Sequence, residues 1–322
     1  MKIYVARKEQ MVDISKYCGD ISWNDSIDTL GVQLSFAATK KINLNVGDYF
    51  QLKKDNVLVT DGIAVTKNKS FFKNKFNVFD FAWFLNESEE IVQFKNIDSN
   101  KAIKQLLAKY NVKLGAVDAP SISLTYIYKD KKVSEVISHI LSMVTDETGQ
   151  KFRMEMRNGK FYIEKYTEIS VSPKYQNAIN IAAMNSLANI GEGFSYSESI
   201  QDLKNKVVLT SDEEKSKSII AEVDDQESIK KYGLLQEVKT VDKKDIAKAK
   251  NIANNTLKNL NRKSYNINIT IPGDINLRSG RLISINNKYM NGKYLIKSTN
   301  HSYKNGIHKT SLTIGDDKDD RI

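Results

Sequence analysis

Cysteine occurs once in this chain, and proline and histidine three times each. Cys18 alone cannot close an intramolecular disulfide, so no bonded framework holds the fold and an oxidising compartment is not called for. No stretch approaches the ~18 uninterrupted apolar residues of a membrane span. The opening "MKIYVARKEQ" breaks its apolar run with charge at once, unlike the core of a signal peptide. These absences point to a protein made and kept in a cytoplasm.

Catalytic signatures are missing as well. There is no G-x-S-x-G elbow and no G-x-x-x-x-G-K-[ST] phosphate loop. "GEGFSY" from Gly191 lacks the third glycine of a dinucleotide fingerprint and follows no clear strand, so it reads as a loop. Cys18 has no base that can be placed beside it, and reads as a small buried apolar residue. His301 and His308 flank a turn expected at Lys304-Asn305-Gly306 and can approach across it. With no cysteine nearby, they read as surface strand residues rather than metal ligands. His139 lies off the apolar stripe of its helix and reads as a surface or boundary residue. Glu87, Glu89 and Glu90, like Asp224 and Asp225, stand in polar stretches and read as solvated loops, not as a hydrolytic pair. No catalytic, cofactor-binding or metal residue is nominated.

What is present is ordinary globular material: 40% hydrophobic and 27% charged residues over 322 positions, enough for two domains or more. The formal charge is +10, but the lysines are spread along the chain among Asp and Glu. That pattern reads as solvated surface, with no specific nucleic-acid patch.

The first 80 residues alternate as strands do. "GVQLSFAAT" puts Val32, Leu34 and Phe36 on one face. Turns are expected at Lys54-Asp55-Asn56 and again at Asp61-Gly62. "DSNKAIKQLLAKYNV" reads as a helix with Ser99 as its N-cap, and "KKVSEVISHILSMVTDETG" as a helix stopped by Gly149. "KFRMEMRNGKFYIEK" is a hairpin turned by Asn158-Gly159. A strand at Val207-Val208-Leu209 precedes a charged hairpin with a long tip. "DKKDIAKAKNIANNTLKNLNRK" then gives an amphipathic helix, capped by Asp242, with Ile246, Ala249, Ala253, Leu257 and Leu260 on its stripe. Strands close the chain, before a frayed acidic tail "DDKDDRI".

One phrase occurs twice. "LNVGDYFQLKKDNVLVTDGIAVTKN" starts at Leu44 and "LRSGRLISINNKYMNGKYLIKSTNH" at Leu277. Leu44 matches Leu277, Gly47 matches Gly280, Leu52 matches Ile285, and Gly62 matches Gly292 across a shorter turn. Two copies this far apart are no solenoid; they read as two versions of one small β unit with other material between.

In order and spacing, several segments together resemble a known family. They include "ISWNDSIDTLGVQLSFAAT", "VGDYFQL", "FNVFDFAWFLNESEEIVQFKNIDSNKAIKQLLAKYNV", "YGLLQEV" and "IPGDINLRSGRLISINNKYMNGKYLIKSTNHSYKNG". The family is the tail baseplate hub proteins of contractile-tailed phages and phage-tail-like bacteriocins. PBSX-like defective prophages of Gram-positive bacteria supply the most similar group, and the hub part of type VI secretion spikes is related in architecture. The resemblance implies a predominantly β, α+β chain with two related β-barrel-like tube domains, an inserted α+β helper domain, and an amphipathic helix before the last barrel strands. It divides the chain into a tube domain over 1–95, a helper over 96–170, an irregular charged segment over 171–235, and the helix plus second tube-like strands over 236–322. It also implies a structural, non-enzymatic homotrimer whose duplicated domains form a pseudo-sixfold ring between the hexameric tail tube and the trimeric spike. The partners so implied are the tail tube protein, the spike or tail-tip protein, other baseplate proteins and the tape-measure protein. No cofactor and no membrane are implied. The location is a virion or tail-like particle assembled in the host cytoplasm. A tail-associated cell-wall hydrolase and a nucleic-acid-binding protein are the alternatives.

Overall fold

The structure is a computed structural model that describes residues 1–165, 170–171, 195–211, 218–241, 243–286 and 291–316. The chain opens with β1 (Lys2–Arg7), β2 (Gln10–Asp13), β3 (Cys18–Ser26), β4 (Thr29–Thr39), β5 (Tyr49–Lys54), β6 (Val57–Lys69) and β7 (Lys73–Phe79). Asp55 and Asn56 both take positive φ, 49° and 65°, and turn β5 into β6 where a turn is expected. Asp61-Gly62 does not turn the chain; β6 runs straight through it. Gly62 answers a different need. A Cβ there would lie 1.9 Å from the Phe79 carbonyl oxygen, so only glycine lets β7 come so near. Phe36, Phe50 and Phe76, all fully buried, meet at the centre of this unit, Phe36 stacked on Phe76 and edge to face with Phe50.

The middle block comprises α1 (Ala82–Glu87), β8 (Glu89–Asp98), α2 (Ser99–Lys109), β9 (Lys113–Val117), β10 (Ser123–Lys132), α3 (Val133–Thr148) and the hairpin β11 (Phe152–Arg157) and β12 (Lys160–Lys165). Its apolar core runs from Ala82 and Leu85 of α1 to Ile163, with Leu30 of β4 added to it. Asp98 caps α2 by accepting from Lys101 N–H, not Ser99; Ser99 is buried and accepts from Ile122 N–H. α3 buries Val133, Val136, Ile137, Ile140, Leu141 and Val144, and Gly149 ends it at φ 74°. Asn158-Gly159 turns β11 into β12 with φ 52° and 67°.

After β13 (Ser170–Val171) and β14 (Ser195–Ser199) comes a small unit: β15 (Lys206–Ser211), β16 (Ile219–Asp224), α4 (Gln226–Tyr232), β17 (Gln236–Val241) and α5 (Ala249–Leu260). α4 has no counterpart in the sequence reading. The amphipathic helix α5 stands directly before the final strands, as expected, and its Ala249, Ile252 and Ala253 pack on Val207 and Leu209 of β15. Ile246, expected on its buried stripe, precedes the α-helix and is 42% exposed. Asp242 lies outside the described residues. The chain ends with β18 (Ser264–Pro272), β19 (Leu282–Asn286), β20 (Asn291–Lys304) and β21 (Ile307–Asp316).

Both ends of the chain meet in a single sheet ordered β14-β18-β21-β20-β3-β4-β7-β6-β5-β1-β2, with β19 beside β20 and β13 beside β19. Among the described residues no sheet closes into a barrel. The two expected β-barrel-like domains are instead two halves of one open sheet, each with its own core.

The halves share a plan. The order β3-β4-β7-β6-β5 recurs as β14-β18-β21-β20-β19, antiparallel at every step. Gly47 and Gly280 sit at φ 86° and 71°. Gly47 N–H donates to the Ala64 carbonyl and Gly280 N–H to that of Ile296, both at 2.8 Å. Ala64 and Ile296 in turn donate to Asp48 and Arg281. Directly after each, the strand bulges, at Val65 and at Lys297. The expected match of Gly62 with Gly292 fails. Gly62 faces Phe50, and the residue facing Ile283 in the second copy is Tyr294; Gly292 faces Ile285, where the first copy sets Thr60 against Leu52.

Candidate functional site

The two repeats join where β3 pairs antiparallel with the end of β20, setting Trp23 opposite His301, Asp25 opposite Thr299 and Ile21 opposite Tyr303. β20 is free to do this because β19 leaves it after Leu295. Tyr303 packs against the core of the first repeat. Trp23 and His301 stack with centroids 4.5 Å apart and planes 5° from parallel. His301 Nε2 donates to the Leu277 carbonyl at 2.9 Å, which leaves Nδ1 to accept from Thr310 Oγ1 at 3.0 Å, with His308 Nε2 3.2 Å away. Burial pushes both histidines down to about 4, so the pair is neutral at pH 7. The two rings do meet across the Asn305-Gly306 turn, but His301 is buried instead of lying on the surface, and it bonds to His308 and to oxygens of Leu277 and Thr310. Among the described residues no group of three or more His, Cys, Asp or Glu is placed to hold a metal ion.

Beside this joint lies a buried ionic network. Glu155 Oε2 is 2.5 Å from Arg153 Nη1 and 3.1 Å from Arg157 Nη1; its Oε1 is 2.9 Å from Arg278 Nε and 3.4 Å from Arg281 Nη2. Glu164 takes the other faces of Arg153 and Arg157 at 2.6 and 2.8 Å. Burial opposes the charge of Glu155, but Arg278, Arg153 and Arg281 together hold it below the usual glutamate value. Burial lowers Arg281 to about 10. Asp25 accepts from Ser279 N–H at 3.0 Å and from the hydroxyls of Ser279 and Thr299. Asp80 is wholly buried and lifted to about 7 by that burial, although Val32 and Ala82 donate N–H bonds to it. The network thus pins the β11–β12 hairpin to the second copy of the repeated phrase, at Arg278 and Arg281. Taking one partner from such a buried set costs several kcal/mol, about 3–5.

The sequence reading missed this network, although a signal existed. The chain has only seven arginines among its 49 basic residues, and four of the seven converge here. Where lysine supplies the surface charge, arginine is left for planar, bidentate pairing.

An open groove of about 1000 Å³ runs along the β3–β4 tip, α1 and the start of α3, with Asp28, Trp83, Glu87, Glu135 and Asn300 among its walls. The Thr299–Asp25 hydrogen bond of the joint lies on its wall. The other sequence candidates lie apart. Cys18 is half-buried against the first core, and burial raises its thiol to about 12. His139 is exposed and bonded to Tyr128 Oη at 2.8 Å. Glu90 is buried and held low by Lys109, while Glu87 and Glu89 are exposed. Asp225 caps α4, and exposed Asp224 accepts from Gln226. Gly191 lies outside the described residues. The arrangement joins the two repeats to each other and the β11–β12 hairpin to the second of them.

Comparison with known proteins gives the family and the fold. The model of the family described as YQBQ-like matches residues 21–315. The protein YqbQ of Bacillus subtilis is 23% identical over 279 residues, covering 84% of this chain and 82% of its own length. The phage-like element PBSX protein XkdQ of the same bacterium is 21% identical over 201 residues, 62% of this chain and 58% of its own length. The crystal structure of the 43 kDa tail protein of prophage MuSo2 from Shewanella oneidensis superposes with a TM-score of 0.72 at 12% identity, covering all of both chains. The fold is that of a prophage tail protein.

Proposed function

The chain belongs to the YqbQ-like family, and from that premise we propose that it is the structural hub of a contractile-tail baseplate. Three copies form a ring in which six similar sheet units face the sixfold tail tube on one side and a threefold spike on the other. One observation carries this reading: a single chain holds the same five-strand order twice, and the two copies are already joined edge to edge through β20 and β3. Three such chains imitate six subunits, which is what a joint between sixfold and threefold symmetry requires. The middle block then lies against the ring as the helper, clamped by the arginine network, with its remaining faces open to other baseplate proteins. The tape-measure protein and the tube meet the ring at its centre, in a virion or tail-like particle assembled in the host cytoplasm.

The test is to image tail particles from a producing strain that carries a tagged chain. Label is expected at the tail tip, between the last tube ring and the spike. Label along the tube or sheath would contradict the reading, as would clearing of purified cell walls by the protein alone.

A further inference from the structure

Among the described residues the joint between the repeats occurs once, and both halves of a second joint stand open. In the first repeat β5 leaves β6 after Ile63, as β19 leaves β20 after Leu295. The end of β20 is then taken up by β3. Among the described residues the matching end of β6, Thr66–Lys69, pairs with β7 alone. The counterpart of β3 is β14, which among the described residues occupies one end of the sheet and pairs with β18 alone. Exposure follows the same division. Thr299 and His301 are buried in the closed joint, while Lys69, in the place of His301, is exposed. Trp23 is 4% exposed and its counterpart Tyr196 is 53% exposed. Counting two residues past β6 brings Phe71 to the place of Tyr303. Tyr303 packs on a core, whereas Phe71 is 84% exposed.

We propose that β14 of one copy of this chain pairs antiparallel with the end of β6 of the next copy, in the register that β3 and β20 already use. The partner is a second copy, because the chain carries both complementary halves and a closed example of the same joint. Shifting the internal register by repeat sets Tyr196 opposite Lys69, Ser197 opposite Asn68 and Glu198 opposite Lys67. The stacked Trp23–His301 pair becomes an ammonium over a tyrosine ring. The Asp25–Thr299 pair becomes a carboxylate facing an ammonium. In the closed joint Ile27 N–H donates to the bulged Lys297 carbonyl at 2.9 Å; Ile200 stands where Ile27 does, and Val65 where Lys297 does. Phe71 covers the second core of the neighbour as Tyr303 covers the first. An exposed strand edge with an exposed aromatic beside it is otherwise an aggregation hazard, and mating removes both.

This deepens the ring reading and rests on it only for the number three. The test is a cysteine pair on these exposed positions, Asn68→Cys with Ser197→Cys, oxidised and run without reductant. Directly opposed residues lie about 4.5–5.5 Å apart, within disulfide reach, whereas a diagonal pair at about 7–8 Å is outside it. Covalent dimer and trimer are expected, collapsing to monomer with reductant. The register control Asn68→Cys with Ser195→Cys should stay monomeric. A second variant, Phe71→Ser, should weaken self-association by about tenfold or more while leaving the melting temperature of the monomer unchanged. A trimer by light scattering without cross-linking at Asn68 and Ser197 overturns the edge pairing and leaves the ring standing. A covalent ladder running past trimer supports the pairing and overturns the threefold ring. Monomer in both measurements overturns both.

Discussion

The two repeats keep the same backbone and fill it differently. Phe36, Phe50 and Phe76 form the centre of the first; the registers put Ile269, Ile283 and Leu312 at the matching places in the second. The first repeat joins its opening strands β3 and β4 by a short turn, Ile27–Asp28, while the second opens the same hairpin between β14 and β18 to admit β15 through α5. What stays constant is the glycine at positive φ, the hydrogen bonds it makes, and the bulge that follows. Those features set the path of the strands, and so the shape of the edge one repeat offers the other. Side-chain volume within each core is free to drift so long as each core stays filled.

Exchanging core residues tests that division most strongly. Phe36→Ala should cost about 3–5 kcal/mol in urea unfolding and Ile269→Ala about 2–5, each from loss of burial plus a cavity. Phe36→Ile, which gives the first repeat the residue of the second, should still cost about 1–3 kcal/mol, because ring contact with Phe50 and Phe76 is lost without compensating growth around it. Near neutrality would show the two cores to be interchangeable.

The glycines come next. Gly47→Ala should cost about 1–2 kcal/mol, from forcing a side chain into left-handed backbone, because nothing lies within 4 Å of the new Cβ. Gly280→Ala suffers the same strain and also meets Arg153 Cδ at 2.4 Å, disturbing the buried arginine network. It should cost about 3 kcal/mol or more. Equal costs for the two would mean that the network yields easily.

Acid should separate the repeats by a smaller margin. His301 and His308 have folded values of about 4, below the ordinary 6.5, so folding favours their neutral forms. Their contribution is present above pH 6.5 and is lost as the pH falls from there toward 4. The first repeat carries Lys69 at the place of His301. Hydrogen exchange at pH 5 should therefore loosen β20 and β21 before β4 and β7. Asp80 acts in the opposite sense: its folded value of about 7 means that stability falls as the pH rises from about 4 to 7. The exchange pattern is thus the cleaner readout than total stability. The smallest effect is expected at the half-exposed Lys73–Asp20 pair, 2.6 Å apart. Asp20→Asn should cost at most about 0.5 kcal/mol and nothing at high salt.

Much of this plan is legible in sequence. The duplicated phrase marks Leu44 and Leu277, Gly47 and Gly280, because a positive-φ turn followed by alternation leaves local traces. α3 with its Gly149 stop and the Asn158-Gly159 hairpin are equally local. What sequence hides depends on distant partners. Gly62 looks like a turn residue until Phe79 is known to lie against it. The helix after Asp242 is legible from its apolar stripe, but the strand that stripe covers, β15, is not. The arginines are scattered over 129 residue numbers, from Arg153 to Arg281, and only folding brings them around Glu155. The joint itself is the least legible of all, since Trp23 and His301 belong to opposite ends of the chain.

The number of chains in the assembled ring decides the matter most directly. Native mass measurement of the ring released from tail tips should give three times the 36.6 kDa chain. A ring of six chains would contradict the proposal that one chain carries two of six equivalent units.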